Sequence, residues 1–288
     1  MKKEAAFYEA IGGGFVRCLL CPHKCVVPEG GRGFCRARSN SGGRLYADGY
    51  GIVSGFALDP IEKKPLHHFY PGSAILSVGG FGCNLRCPFC QNHSISTKPP
   101  EAGAQPIGAE RIAALAREYI PQKNIGAAFT YNEPLVGYEF VFDCARRVRE
   151  MNMKTVLVTN GFINAEPLMK LLPFIDAMNI DLKSYNGEFY KNINGSLAAV
   201  LNTIEAVAQK THVEITTLVI PDENDGEIEI EDLACFIANV NPEIPLHLSR
   251  FFPNHLMQKK SPTPRETVIR LKNIAEKYLR YVYLGNMR

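Results

Sequence analysis

The sequence predicts an α/β fold, a sheet of parallel strands with helical crossovers, set behind an irregular cysteine-rich segment. Three observations predict it. From about residue 74 short apolar or β-branched runs alternate with stretches of helical periodicity. Strand-then-helix units of this kind need right-handed crossovers and therefore parallel strands. Before about residue 70 glycines and polar turns crowd the chain, and only brief apolar runs such as 51–56 interrupt them. The division falls near residue 70, with 1–70 as a metal-binding segment and 71–288 as the strand–helix body.

Six runs read as strands: 75–78, 127–131, 155–159, 178–182, 213–220 and 246–251. Ile112, Leu115, Ala116 and Tyr119 share one helical face after the first, and Val141, Cys144, Ala145 and Val148 do so after the second. Pro134 stands where a first helical turn accepts proline. Thr263-Pro-Arg-Glu266 reads as a capping box ahead of a last helix with the face Leu271, Ile274, Ala275 and Tyr278. Periodicity leaves open a doubly wound sheet or a barrel, complete or partial.

Polar groups gather where each apolar run ends. Asn132-Glu133 follows the second run, Thr159-Asn160-Gly161 the third, Asp181 and Lys183 the fourth, and Asp222 to Asp225 the fifth; His247, Ser249 and Arg250 lie on the sixth. In barrels the site lies at the C-terminal ends of the strands. Polar residues within apolar runs are costly unless paired, so the whole set points to a shared rim. Period two sends His247 and Ser249 to one face, where His247 either lines a pocket or is a core histidine with a satisfied hydrogen bond.

The first strand is followed by glycines and then Cys83-Asn-Leu-Arg-Cys87-Pro-Phe-Cys90. Three thiolates can hold three irons of a cubane that takes four ligands when saturated, which leaves one iron open. A zinc knuckle with His93 as fourth ligand, or buried structural cysteines, are the competing readings. A second set, Cys18-x2-Cys21-x3-Cys25-x9-Cys35, supplies four soft ligands in a segment with little apolar periodicity. It suits structural zinc or a saturated iron–sulfur cluster, zinc being favoured, and metal binding would supply folding energy. His23 could substitute for one thiol. Cys144 and Cys235 sit in helical patterns and fill core space.

Bulk properties exclude several classes. The net charge of +3 is too small to argue for nucleic acid. There is no run of about 18 apolar residues for a membrane helix, and the Met-Lys-Lys-Glu start lacks the apolar stretch of a signal peptide. Seven of nine cysteines lie in two tight clusters, which favours reduced, metal-bound thiols in a cytoplasm over disulfides.

The C-x3-C-x2-C array, with Phe89 before its last cysteine, resembles the signature of the radical S-adenosylmethionine (SAM) enzymes. Asp59-Pro-Ile-Glu-Lys-Lys-Pro-Leu66, Phe129-Thr-Tyr-Asn-Glu-Pro134, Val158-Thr-Asn-Gly161, Asn179-Ile-Asp-Leu-Lys183, Leu218-Val-Ile-Pro221, His247-Leu-Ser-Arg-Phe251 and Tyr283-Leu-Gly-Asn286 narrow the likeness. Together they resemble the radical SAM protein of the AmmeMemoRadiSam system, a relative of the pyruvate formate-lyase activating enzymes. The resemblance implies a partial (β/α)6 TIM-like barrel, a four-iron, four-sulfur cluster on Cys83, Cys87 and Cys90, and SAM across the strand tips. In the superfamily reductive cleavage of SAM yields a 5′-deoxyadenosyl radical that abstracts hydrogen, and the cofactor carries that chemistry.

The resemblance also implies roles. Phe89 would pack near the adenine and Glu133 would bind the methionyl amino group, its bland alternative being a helix N-terminal carboxylate. Here the SAM loop reads Tyr-Asn-Glu-Pro in place of Gly-Gly-Glu-Pro, so Tyr131 and Asn132 are expected to crowd or reshape it. Asn160, Asp181 and Lys183 match positions near the methionine and the substrate mouth. Val158 replaces an aspartate that helps hold a monovalent cation in those relatives. Family members often continue into a further Cys-Pro-x-Cys pair, which leaves the completeness of the N-terminal metal site open. Implied partners are an electron donor such as flavodoxin or ferredoxin and a Memo-type protein, in an anaerobic cytoplasm. The function expected is radical generation for an unassigned substrate. The alternatives are an activase of a glycyl-radical enzyme, or a non-enzymatic double metal-site binding protein. No catalytic side chain is assigned.

Overall fold

The computed structural model describes residues 3–100 and 106–287. Met1 and Lys2, part of the start judged to lack a signal peptide, lie outside them, as does the closing Arg288. The N-terminal segment is more regular than its sequence suggests. It forms β1 (Lys3–Glu4), β2 (Tyr8–Gly12), β3 (Phe15–Cys18), β4 (Val26–Val27), β5 (Arg38–Ser41) and β6 (Arg44–Ala47). These make two three-stranded antiparallel sheets, ordered β1-β6-β5 and β2-β3-β4. Strands this short, with β2 largely exposed, carry too little alternation to be read in advance. One turn is legible afterwards. Gly42 and Gly43 both adopt positive φ between the paired Ser41 and Arg44, as a two-residue hairpin requires.

The body begins with β7 (Gly55–Pro60), a strand that falls in the stretch read as irregular. It is followed by β8 (Ala74–Gly79), α1 (His93–Ser96), α2 (Ala109–Glu118), β9 (Asn124–Thr130), α3 (Tyr138–Glu150), β10 (Lys154–Thr159), α4 (Ala165–Leu171) and β11 (Ala177–Asp181). Then come α5 (Gly187–Asn192), α6 (Leu197–Ala208), β12 (His212–Val219), α7 (Glu227–Val240), β13 (Leu246–Arg250), α8 (Arg265–Ala275) and β14 (Val282–Gly285). One eight-stranded sheet runs in sequence order from β7 to β14. Strands β8 to β14 pair in parallel, and β7 pairs antiparallel with β8. A doubly wound sheet reverses its order at a switch point, and this one never does. The fold is therefore a barrel, and a partial one, because β7 and β14 are free edges of the order. The six expected strands are all present. The seventh parallel strand, β14, is four residues long and falls outside the six.

The outer faces of the parallel strands pack under the helices, while the edge strand β7 is largely exposed. Ile112, Ala116, Val141, Cys144, Ala145 and Val148 are buried in that layer, as their periodicity predicts. The inner face is mixed: Ile61, Leu66 and Phe69 of the segment linking β7 to β8 pack on Ile75, Ala128, Val156 and Ala177, and polar groups fasten the segment beside them. Ser77 Oγ donates to Asp59 (2.8 Å), Asn179 Nδ2 donates to the Pro65 carbonyl (2.8 Å), and the Glu214 carboxylate accepts from the backbone N–H of His67 and His68 at 3.0 and 2.8 Å. The expected capping box at α8 does not form. Thr263 Oγ1 instead donates to the Val219 carbonyl (2.6 Å) and accepts from Phe251 N–H, closing the ends of β12 and β13.

Candidate active site

A cavity of about 350 Å³ opens at the C-terminal ends of the strands. Cys83, Cys87 and Cys90, all free thiols, line it together with Phe89, Glu133, Asn160, Asp181 and Lys183. The loop bearing the trio is held by its neighbours. Asn132 Oδ1 accepts from Gly80 N–H (2.8 Å) and its Nδ2 donates to the Gly82 carbonyl (3.0 Å). Leu85 N–H points at Cys83 Sγ (3.4 Å), as does Asn160 Nδ2 (3.7 Å). Asn132, expected with Tyr131 to crowd or reshape the SAM loop at 131–134, ties the neighbouring cysteine loop down. Tyr131 sits at φ 72° and sends its hydroxyl away to Asp59 (2.7 Å).

Burial governs the electrostatics. It pushes the Cys87 thiol up to about 11 and Cys83 higher still, with the Glu133 carboxylate adding to the latter. Both thiols would surrender a proton on metallation. Glu133 is itself buried, which raises it to about 7 against three hydrogen bonds that favour its charge. Oε1 accepts from Leu135 N–H (3.0 Å) and Thr159 Oγ1 (2.7 Å), and Oε2 accepts from Asn160 N–H (2.8 Å). A carboxylate has about four acceptor positions, so Oε2 keeps one. Glu133 thus serves the turn after β9 without being used up by it. Lys183 pairs with Asp181 (2.9 Å); burial opposes its charge, but Asp181 and Cys87 outweigh that and raise its pKa above the ordinary lysine value.

Phe89 is buried, its ring 6.0 Å from that of Phe189. His93, the candidate fourth ligand, stacks on His255 at 4.4 Å and does not line the cavity. His247 does not line it either. It lies deeper along β13, with Nε2 2.7 Å from the buried Glu214, and is the satisfied core histidine of the two readings. Ser249, two residues on, does reach the cavity, whereas Arg250 turns to the Thr263 carbonyl (2.9 Å).

One part of the site had no role assigned from the sequence. Lys63 and Lys64 enter the cavity lining from the crossing segment, and both bind Asp59, at 2.7 and 2.8 Å. Burial works against the Asp59 charge, yet Lys63, Lys64, Tyr131 and Ser77 hold it well below the usual carboxylate range. Lys64 is almost wholly buried, and desolvation lowers its pKa despite Asp59. The signal was the Asp-Pro-Ile-Glu-Lys-Lys-Pro-Leu stretch, but nothing in its spacing says that both lysines turn inward.

The donor set fits a three-thiolate cluster. Three free cysteines open into one cavity, among the described residues no fourth protein ligand of the metal-binding kinds lines it beyond the buried, hydrogen-bonded Glu133 and ion-paired Asp181, and backbone and amide N–H groups face a sulfur. The sequence model of the Radical SAM superfamily matches residues 77–234. The chain belongs to the radical SAM superfamily. An uncharacterized Methanocaldococcus jannaschii protein is 45% identical over 294 residues, covering 99% of this chain and 85% of that one. The pyruvate formate-lyase 1-activating enzyme of Escherichia coli K12 is 26% identical over 217 residues, 68% of this chain and 86% of its own. Among solved structures, Streptococcus suis SuiB matches at a TM-score of 0.57 and 13% identity over 73% of this chain and 47% of that one, a likeness of fold. Like its superfamily, this radical SAM chain is an enzyme, which sets aside the non-enzymatic reading. The superfamily implies a four-iron, four-sulfur cluster and SAM. Among the described residues no helix is long and apolar enough to cross a membrane.

Proposed function

We propose that Cys83, Cys87 and Cys90 hold the cluster and that the cavity above them binds SAM. One observation carries the reading: the three thiols share a cavity with Glu133, Asn160 and the Asp181–Lys183 pair. The cluster and SAM, when bound, supply reductive cleavage of the sulfonium and a 5′-deoxyadenosyl radical. The chain's own residues do the positioning. The open acceptor position of Glu133 Oε2 suits the methionyl ammonium, and Lys183 suits the carboxylate. Phe89 offers an apolar face to the adenine. Asn132 and Asn160 fix the loop that carries the trio, and the apolar Leu85, Val158 and Leu218 walls limit water.

The substrate is not assigned by this chemistry, because the radical is generic and specificity lives in the pocket. A second reading is favoured by the activating enzymes among the relatives, namely hydrogen abstraction from a glycine of a partner glycyl-radical enzyme. A flavodoxin or ferredoxin is the proposed electron donor and a Memo-type protein the proposed partner, in an anaerobic cytoplasm. The N-terminal thiol quartet is read as a second metal site. Anaerobic incubation of reconstituted protein with SAM and dithionite, scored for 5′-deoxyadenosine, tests the assignment. Cys87→Ala is expected to abolish the product while circular dichroism stays native. An undiminished yield in that variant contradicts the role of the trio.

A further inference from the structure

Two ammonium groups enter the cavity from the crossing segment, and one carboxylate stands behind them. Asp59 Oδ1 accepts from Lys63 Nζ (2.7 Å), and its Oδ2 accepts from Lys64 Nζ (2.8 Å), Ser77 Oγ (2.8 Å) and the Tyr131 hydroxyl (2.7 Å). A carboxylate has about four acceptor positions, so Asp59 is saturated. An ammonium has three N–H donors, and among the described residues Asp59 is the one hydrogen-bond acceptor that either lysine finds. Lys64 is 2% exposed and lines the cavity, its Nζ 4.8 Å from the centre of the Tyr131 ring. Its spare donors are therefore buried, and buried donors are ordinarily matched. Lys63 is exposed and brings the surplus charge. Fastening the segment needs only one of the two, because the Asp59–Lys64 pair is already neutral.

The other charges lining the cavity are Glu133 and the Asp181–Lys183 pair. In the proposed function Glu133 takes the ammonium of SAM and Lys183 its carboxylate. The sulfonium and the adenine supply no anion, so SAM leaves the surplus charge of the lysine pair unanswered. The pair also lies below the rim. Pro65, the next residue, accepts from Asn179, two positions before Asp181 on β11, and Ser77 stands two positions before Gly79, the last residue of β8. A molecule resting on the lysines lies beneath the strand tips, in a chamber of about 350 Å³ that has room for a small one.

We propose that Lys63 and Lys64 bind a carboxylate of the substrate, and that the molecule losing hydrogen is a small organic acid. The inference deepens the proposed function and rests on its placement of SAM. One carboxylate matches the single surplus charge, whereas a phosphate group carries about −1.5 to −2 at neutral pH. A glycine within a partner chain brings no charge to the pair. Desolvation lowers the Lys64 pKa despite Asp59, and a second anion beside it offsets that cost.

Acetate tests the site, with acetamide as its uncharged counterpart and inorganic phosphate as the competing anion. Their dissociation constants are measured by NMR line broadening on the anaerobically reconstituted protein, with and without SAM and without reductant. Lys63→Gln is the variant of choice, because Lys63 is exposed and its loss leaves the buried Asp59–Lys64 pair intact. Acetate is expected to bind more tightly than acetamide or phosphate, and Lys63→Gln to weaken acetate about tenfold while leaving the SAM dissociation constant within about twofold. Equal binding of acetate and acetamide, an unchanged acetate affinity in the variant, or phosphate bound more tightly than acetate overturns the proposal. So does a variant that loses SAM, because the pair then holds the carboxylate of the cofactor. A native chain that fails to bind SAM counts against the proposed function by a separate readout, and the acetate comparison between native chain and variant still decides the lysine pair.

Discussion

Glu133 carries two loads. Its carboxylate satisfies buried N–H groups of Leu135 and Asn160, and in the proposed function its remaining acceptor position takes a cation. Because burial raises it to about 7, the group is only partly ionised at neutral pH. An arriving ammonium needs the carboxylate, so binding must expel the proton held below that pH. SAM affinity is therefore expected to fall as pH drops below about 7, approaching about tenfold per unit. Titration of the reconstituted protein with SAM at several pH values measures the slope, and Glu133→Gln should flatten it while weakening binding throughout. A wild-type affinity independent of pH between 5.5 and about 7.5 would remove the ammonium from Glu133. The residues that touch the cavity were legible where a chemical type is rare in its setting. Three clustered cysteines and a carboxylate at a strand end are such cases. His247 was misleading because period two gives the face of a strand but not the depth along it.

At the scale of elements, the crossing segment is fastened at Glu214. This carboxylate accepts from His212 (2.9 Å), His247 (2.7 Å) and two backbone N–H groups. Burial alone would raise its pKa, but these four donors bring it to about 2. The unfolded carboxyl titrates near 4.3. Its folded value lies lower, so the stabilisation is full above the unfolded value and is lost as pH falls from about 4.3 toward 2. A shift of this size is worth about 3 kcal/mol, and Glu214→Gln should make urea midpoints fall less steeply between pH 5 and about 3, leaving the share of other depressed carboxylates such as Asp59. His247→Ala should destabilise the chain by about 2 kcal/mol while sparing 5′-deoxyadenosine yield per folded molecule, since His247 lies outside the cavity. Six of the eight strands of the barrel sheet were readable because each is an apolar run of useful length, whereas β7 and the four-residue β14 were not. The latch beneath them was not, since it joins residues 147 positions apart in the chain.

For the molecule as a whole, the union of the small sheets with the barrel rests on Arg38 and Glu139. The pair is almost fully buried, and Glu139 also accepts from Ala6 N–H (2.8 Å). Removing one partner strands a buried charge, so Arg38→Ala should cost about 3–5 kcal/mol and loosen the N-terminal segment first, as hydrogen exchange would show. Patterning gave the parallel strands and their polar rim, and the resemblance carried by the signature array and its neighbouring motifs gave the barrel. The two small sheets escaped because such short strands leave little period, and they are held by apolar residues such as Val16, Val27 and Leu45 in the main core, by glycine turns and by ion pairs that include Arg38–Glu139. Lys63 and Lys64 rise from the crossing segment into the cavity lining, while the same segment is stitched to β8, β11 and β12 behind them. The chamber is then a cul-de-sac. Under the proposed function, methionine, nucleoside and product are expected to leave by the same mouth through which SAM and substrate enter.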